Sequence, residues 1–311
     1  MPIILSAALA LTQLAQASPQ HDPEIEALLR HRDERRRAEA EESAPAPEPT
    51  PAPAEAEDDG AALSEVIPPA IAAHLAQCLE RANADPALGI SDAQSWVGTG
   101  GGAYAAQCHG YALGKMERWA EAADTFERGA RLPDADTVTR ARLWSQAGNA
   151  ALLAGDAPRA ARDLDQALTG ALPATLTTGE IHLDRARARV ATNDLKGARA
   201  DLDQAIVLAK GDPLAWLLSA TLARRMNDLP LARQHIEEAA RRAPNDAPVA
   251  LEQGVIYALS GDRDEDARAA FRHAQELAGT DGKIAQQAAD YLAQLGPEPG
   301  KAAKPIEEVG R

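Results

Sequence analysis

The sequence predicts an all-α protein built from a run of helical hairpins, and three observations predict it. Nearly the same phrase is written twice, as "GDAPRAARDLDQAL" at 155–168 and "NDLKGARADLDQAI" at 193–206, and it returns more loosely as "NDLPLARQHIEEAA" at 227–240. Apolar residues recur with a helical period. Hydrophobic residues make up 45% of the 311-residue chain but aromatics only 3%, so the apolar content is mostly small and aliphatic. Such cores suit close helix packing better than sheets, which favour β-branched and aromatic residues.

Residues 1–17, "MPIILSAALALTQLAQA", carry no charged side chain and read as a signal peptide. The apolar run from Ile3 to Leu11 has the length of a signal-peptide apolar region and is too short to span a bilayer. Ala15-Gln16-Ala17 is a cleavage pattern, so the mature chain is expected to start at Ser18. The free amine is the one positive charge ahead of this run, and an uncleaved start is the other reading. The alanine-rich, mixed-charge style points to a bacterial protein, for which export means the oxidising periplasm.

Residues 18–42 are expected to form a short charged helix, capped by Asp22 with Pro23 in its first position. Residues 43–67, rich in Ala, Pro and Glu, cannot bury a core and read as a disordered tether. The composition then changes, and 68–295 reads as the helical array. A starter hairpin at 68–97 carries Ile71, Leu75, Cys78, Leu79 and Ala82 at helical spacing, with Asp85-Pro86 opening its second helix. The glycines at 98–102 would need a preceding strand and a following Lys-Ser/Thr to cradle phosphate; both are absent, which favours a turn between helices.

The repeated phrase turns the chain on Gly155-Asp156, Asn193-Asp194, Asn227-Asp228 and Gly261-Asp262. Glycine and asparagine tolerate a left-handed backbone and end one helix, while aspartate caps the next. A small–large–small stripe follows: Ala160, Leu164 and Ala167; then Ala198, Leu202 and Ala205; then Ala232, Ile236 and Ala239. Before each turn runs a first helix, seen in Trp144, Ala147, Gly148 and Ala151, in Trp216, Ser219, Ala220 and Ala223, and in Ala250, Gln253, Gly254 and Tyr257.

These positions resemble the tetratricopeptide repeat (TPR), whose pattern is W-x2-L-G-x2-Y, then A-x3-F, then P. Trp144, Gly148, Ala160, Leu164 and Ala167 match it. So do Trp216, Ala220, Ala232, Ile236, Ala239 and Pro244. Gly254, Tyr257, Phe271 and Ala274 match with one residue inserted near Asp264, and an earlier copy uses Gly110, Trp119, Ala122, Phe126 and Gly129. Asn193 to Asn227 to Gly261 steps by 34 twice, the family period, while Glu117 to Gly155 to Asn193 steps by 38 twice. The extra residues, around "DADT" and "LPATLTT", are expected to lengthen loops. Ala186 and Arg189 stand where the third copy should have Gly and Tyr, so its first helix is expected to pack loosely.

The resemblance implies a right-handed TPR-like solenoid with repeats at about 103–133, 141–170, 179–209, 213–244 and 247–278. A capping helix at 281–295 and a loose tail at 296–311 follow. In such a solenoid first helices lie side by side, which sets Cys78 near Cys108. A disulfide is expected in an exported chain, and two separate buried thiols are the other reading.

The net charge of −15 argues against nucleic acid and bulk membrane binding. No metalloprotease, nucleophile-elbow or Walker motif is present, and the carboxylates are read as lying on exposed helix faces. The sequence therefore points away from an enzyme, and no cofactor and no metal are expected. The resemblance implies instead a concave surface lined by the first helices. Its candidate positions are Tyr104, Gln107, Tyr111 and Lys115, then Arg142, Ser145 and Asn149, then Leu183 and Arg187. Leu217, Thr221, Arg224 and Arg225 follow, then Leu251, Val255 and Leu259. The arginines are suited to hold a carboxylate, or else to pair with local acids such as Glu180 and Asp184. The expected function is a scaffold or adaptor, monomeric, without a transmembrane span, that binds a peptide or protein segment of another envelope protein. A self-associating structural protein is the rival, and an enzyme with an unrecognised site is a weaker one.

Overall fold

The computed structural model of the chain describes residues 67–169, 176–279 and 282–295. The expected signal peptide, the charged helix, the tether up to residue 66, most of the "LPATLTT" loop and the tail from 296 lie outside the described residues. The described residues hold thirteen helices and no strand. They fall into two compact units, 67–210 and 211–295.

The first unit is four hairpins: α1 (Pro69–Ala84) with α2 (Pro86–Gly98), α3 (Gly102–Lys115) with α4 (Trp119–Ala130), α5 (Thr137–Leu153) with α6 (Ala157–Ala167), and α7 (Leu176–Ala191) with α8 (Leu195–Leu208). Each helix packs on the next in sequence, and the first helices α1, α3, α5 and α7 also touch in that order. The second unit is built alike, from α9 (Pro213–Arg225) with α10 (Leu229–Arg242), α11 (Ala247–Ser260) with α12 (Asp264–Ala278), and a last helix α13 (Gly282–Gln294) against α12 and α11. Ile67 is the last residue of the expected tether, yet it packs on the cluster of Leu75, Cys78 and Trp96. An isoleucine gains more from that contact than from water.

The turns are built as their residues dictate. Gly155, Asn193, Asn227 and Gly261 have φ of 80°, 62°, 62° and 77°. Asp156, Asp194 and Asp228 then accept from the backbone N–H of Arg159, Gly197 and Leu231 at 3.0, 2.9 and 3.2 Å. The fourth turn departs from expectation. Asp262 is not the cap; the inserted residue moves the helix start to Asp264 and leaves Arg263 as a cap without a side-chain bond. Three acidic residues in that first turn, Asp264, Glu265 and Asp266, face the positive helix end instead.

The small–large–small stripes are the hairpin seams, and Ala160, Leu164, Ala167, Ala198, Leu202, Ala205, Ala232, Ile236 and Ala239 are all buried. Close approach requires glycine opposite them. A Cβ on Gly148 would stand 2.5 Å from Leu164 Cγ, and one on Gly254 would stand 2.5 Å from Phe271 Cδ1. Of the extra residues before α5, some go into the loop 131–136 and some into the helix itself, which has 17 residues against 13 in α9.

The expectation that the third copy packs loosely is overturned. Ile181, Leu183, Ala186 and Ala188 of α7 are buried. The residues that break the repeat pattern there, His182, Arg185 and Arg189, all bond Asp201 of α8, with Nδ1 of His182 at 2.9 Å, Nη2 of Arg185 at 2.6 Å and Nη1 of Arg189 at 2.8 Å. A charge network replaces the aromatic seam.

Candidate functional site

The first-helix stripe is set by period: Tyr104, Gln107, Tyr111 and Lys115 are spaced three, four and four apart on α3, which keeps them on one face. The structure treats these four differently. Tyr104 is buried and its hydroxyl lies 3.3 Å from Thr139 Oγ1, so it belongs to the packing of α3 against α5. Tyr111 is half-buried and its hydroxyl donates to Asn83 Oδ1 of α1 at 2.5 Å. Lys115 is exposed. Gln107 is 8% exposed, and its side-chain oxygen is buried with no hydrogen-bond partner.

On α5, Arg142, Ser145 and Asn149 are half-buried, and Asn149 Oδ1 also lacks a partner. Gln146, which sequence reasoning passed over, is in the same condition at Oε1. On α7, Leu183 is core, and Arg187 donates to Asp184 at 2.9 Å. The accessible part of this unit's face is therefore polar, with hydroxyl, carboxamide and guanidinium groups on α3, α5 and α7.

In the second unit the corresponding positions are mostly interior. Leu217, Thr221, Leu251 and Val255 are buried, and Thr221 turns its hydroxyl back to the carbonyl of Leu217 at 3.0 Å. Leu251 and Val255 belong to a core with Tyr257, Phe271, Ile284 and Ala288, and Leu259 packs partly buried against it. Leu251, Val255 and Leu259, named as candidates for the concave surface, thus pack with the last helix, because α13 closes the unit: Tyr291 stacks on Phe271 at 5.1 Å and Arg268 donates to the carbonyl of Leu295 at 2.7 Å. Arg224 binds Glu252 through Nε at 2.7 Å and Nη2 at 3.2 Å. Arg225 beside it is half-buried. Arg187 and Arg224 thus pair with local acids, Asp184 and Glu252.

The carboxylates correct the sequence reading, which set them on exposed faces. Asp163, Asp184, Asp201 and Glu252 are buried. Asp163 and Asp201 occupy the same register of the repeated phrase, yet their surroundings are opposite. At Asp163, burial first and then the charge of Glu127 push the carboxyl up to about 7, against a weaker pull from Arg159. At Asp201 burial also pushes upward, but the hydrogen bonds from His182 and Arg185 and the charges of Arg185 and Arg189 outweigh it and hold the carboxyl below its ordinary value. The signal available in sequence was the cation set on α7, which the first helix of the preceding copy lacks.

Cys78 and Cys108 are joined in a disulfide, with Cα atoms 6.2 Å apart, and it ties α1 to α3. Among the described residues no group of three or more His, Cys, Asp or Glu is arranged to hold a metal ion. No helix among them is long and apolar enough to cross a membrane.

Hairpins of this kind, stacked first helix on first helix, define a TPR-like all-helical fold. Solved structures of similar fold include PilF of Pseudomonas aeruginosa, with a TM-score of 0.59 at 13% identity, covering 71% of this chain and 97% of that one. The C-terminal part of a TPR repeat-containing protein from Cytophaga hutchinsonii has a TM-score of 0.53 at 17% identity, covering 70% and 87%. MamA of Desulfovibrio magneticus has a TM-score of 0.50 at 17% identity, covering 58% and 97%. At such identities the likeness is one of fold. No protein-family model matches the chain, and no curated protein matches it.

Proposed function

We propose that the chain is a non-enzymatic interaction scaffold that binds a segment of another polypeptide on the first-helix face of the 67–210 unit. The observation that carries this reading is the polar face of α3, α5 and α7, where buried carboxamide oxygens at Gln107 and Asn149 lack hydrogen-bond partners among the described residues. Stacked hairpins offer an extended surface with many small contacts, which suits an adaptor. The setting we propose is the bacterial envelope, with residues 1–17 as a cleaved leader and the periplasm as the compartment. The buried disulfide supports an oxidising compartment.

A photo-crosslinking residue at Ser145, on this face, tests the reading against the same residue at the exposed Gln204 on α8. Polypeptides crosslinked from Ser145 in the native cell and not from Gln204 are the expected result. Equal patterns from both positions would remove the proposed face. The compartment is tested separately by sequencing the amino terminus of the mature chain, expected at Ser18.

A further inference from the structure

We infer that the junction between the α3–α4 and α5–α6 hairpins is a proton-controlled latch: Arg159 of α6 clasps Glu127 and Asp124 of α4 while Asp163 is neutral, and turns back to Asp163 once that carboxyl ionises. The latch acts on the stack of hairpins itself and is independent of what the first-helix face binds.

Charges of both signs crowd this junction. Arg159 donates through Nε to Glu127 Oε1 at 2.6 Å and through Nη2 to Asp124 Oδ1 at 2.6 Å, so one side chain of α6 holds both acids of α4. Arg131, just past the end of α4, donates to the other oxygen of Glu127 at 2.7 Å. Asp163 follows Arg159 by four residues on the same helix and is 5% exposed. Its Oδ2 is buried without a hydrogen-bond partner, and Arg159 Nε stands 3.8 Å from it, too far to donate. A carboxylate in that place would keep the cost of losing water with little in return. A neutral carboxyl fits, with its proton turned to Glu127. The arrangement is therefore that of protonated Asp163, and burial together with the charge of Glu127 pushes its carboxyl up to about 7.

Asp163 answers chiefly to α4 and to its own helix, through Glu127, Arg159 and Arg131. Arg128 of α4 donates to Thr125, and Arg162 beside Asp163 is exposed. On α5, Arg140 donates to the carbonyls of Ala130 and Ala135, and Arg142 lies two residues before Trp144, on the other side of the helix. α7 carries Glu180, His182, Asp184, Arg185, Arg187 and Arg189. Arg185 and Arg189 reach α6 at Asp165, His182 bonds Asp201 and Arg187 bonds Asp184. When Asp163 loses its proton, two like charges share one buried site. Arg159 is within reach of both: turning its last side-chain bonds closes the 3.8 Å gap and makes a pair four residues apart along α6. Glu127 keeps Arg131, and the exposed Asp124 returns to water. The clasp between the hairpins is then released. Asp201, at the same register, already holds Arg185 and Arg189 and has no such exchange to make.

The test is nuclear magnetic resonance of the isotope-labelled full chain, titrated from about pH 5 to about pH 9. In acid the Arg159 Nε proton should show through-space contacts to the Glu127 side chain, and in alkali to the Asp163 methylene. The exchange should share its midpoint with the Asp163 carboxyl carbon, near the value of about 7, while the carboxyl carbon of Asp201, held below its ordinary value, stays flat. Asp163→Asn should keep the Glu127 contacts at every pH. Glu127→Gln removes the like charge and should lower the Asp163 midpoint by at least about one unit, a tenfold weaker hold on the proton. Arg159 contacts that stay with Glu127 while Asp163 ionises would overturn the latch. So would an Asp163 midpoint in the ordinary aspartate range, or one that Glu127→Gln leaves unmoved. An exchange that persists in Asp163→Asn would overturn it as well, by placing the sensor on another group.

Discussion

Asparagine at Asp163 and, separately, at Asp201 would separate two opposite electrostatic roles at one register of the repeat. Each aspartate lies seven residues after its turn aspartate, Asp156 or Asp194. Asp163 is 5% exposed and faces Glu127, with Arg159 Nε at a distant 3.8 Å. Its carboxyl moves from 3.8 in the unfolded chain to about 7 in the folded one. Between those values the folded state binds the proton and the unfolded state does not, so stability falls as pH rises through this window. At ~1.4 kcal/mol per pH unit the full window is worth about 4 kcal/mol. Asp201 has the opposite sign. Its folded value lies below the unfolded one, so its contribution is present above the unfolded value and is lost as pH falls through the folded one.

Asp163→Asn keeps the shape and removes the titration. Relative to the natural chain it should gain stability from about pH 4 to about pH 8, by up to about 4 kcal/mol. Asp201→Asn leaves Arg185 and Arg189 facing a neutral group and should cost about 3 kcal/mol near neutral pH, less in acid. Urea unfolding followed by helical circular dichroism, taken as variant minus natural chain, cancels the other carboxylates. A flat difference for Asp163→Asn across that range, or a loss of stability at the alkaline end, would refute the argument.

Three further outcomes are expected. Cys78→Ser with Cys108→Ser should lose about 3–4 kcal/mol, the chain-entropy value for a sequence separation of 30; melting with and without dithiothreitol checks it, and a reductant-insensitive natural chain would contradict it. Glu117 holds φ of 58° at the turn position that glycine or asparagine takes in the later copies, so Glu117→Gly should raise stability by about 1 kcal/mol in urea titration. Arg224→Glu sets two carboxylates where Arg224 now pairs with the buried Glu252, and should destabilise the 211–295 unit by about 3 kcal/mol; unchanged unfolding would show that pair to be dispensable.

The turns were legible because their requirements are local. Only glycine and asparagine enter the left-handed region cheaply, and an aspartate two or three residues ahead of a free N–H caps it. The seams were legible for a similar reason, since Ala160, Leu164 and Ala167 fall on one side of a helix whatever that side meets. Asp262 shows the limit: one inserted residue shifted the cap, and a motif reading at fixed offset missed it. Leu251 and Val255 show another. A helical stripe identifies a face, and whether that face meets solvent depends on what α13 covers.

The sequence by itself determined that this chain makes helical hairpins, where each turns, and which residues form its seams, because period and backbone preference act within a few residues. Tertiary structure decided the rest: that Asp163 and Asp201, the same letter at the same register, sit in opposite fields, and that Leu251 and Val255 join the core that α13 closes. The fields at these two carboxylates are set by residues as far as 12 to 36 positions away, beyond anything a local pattern can encode.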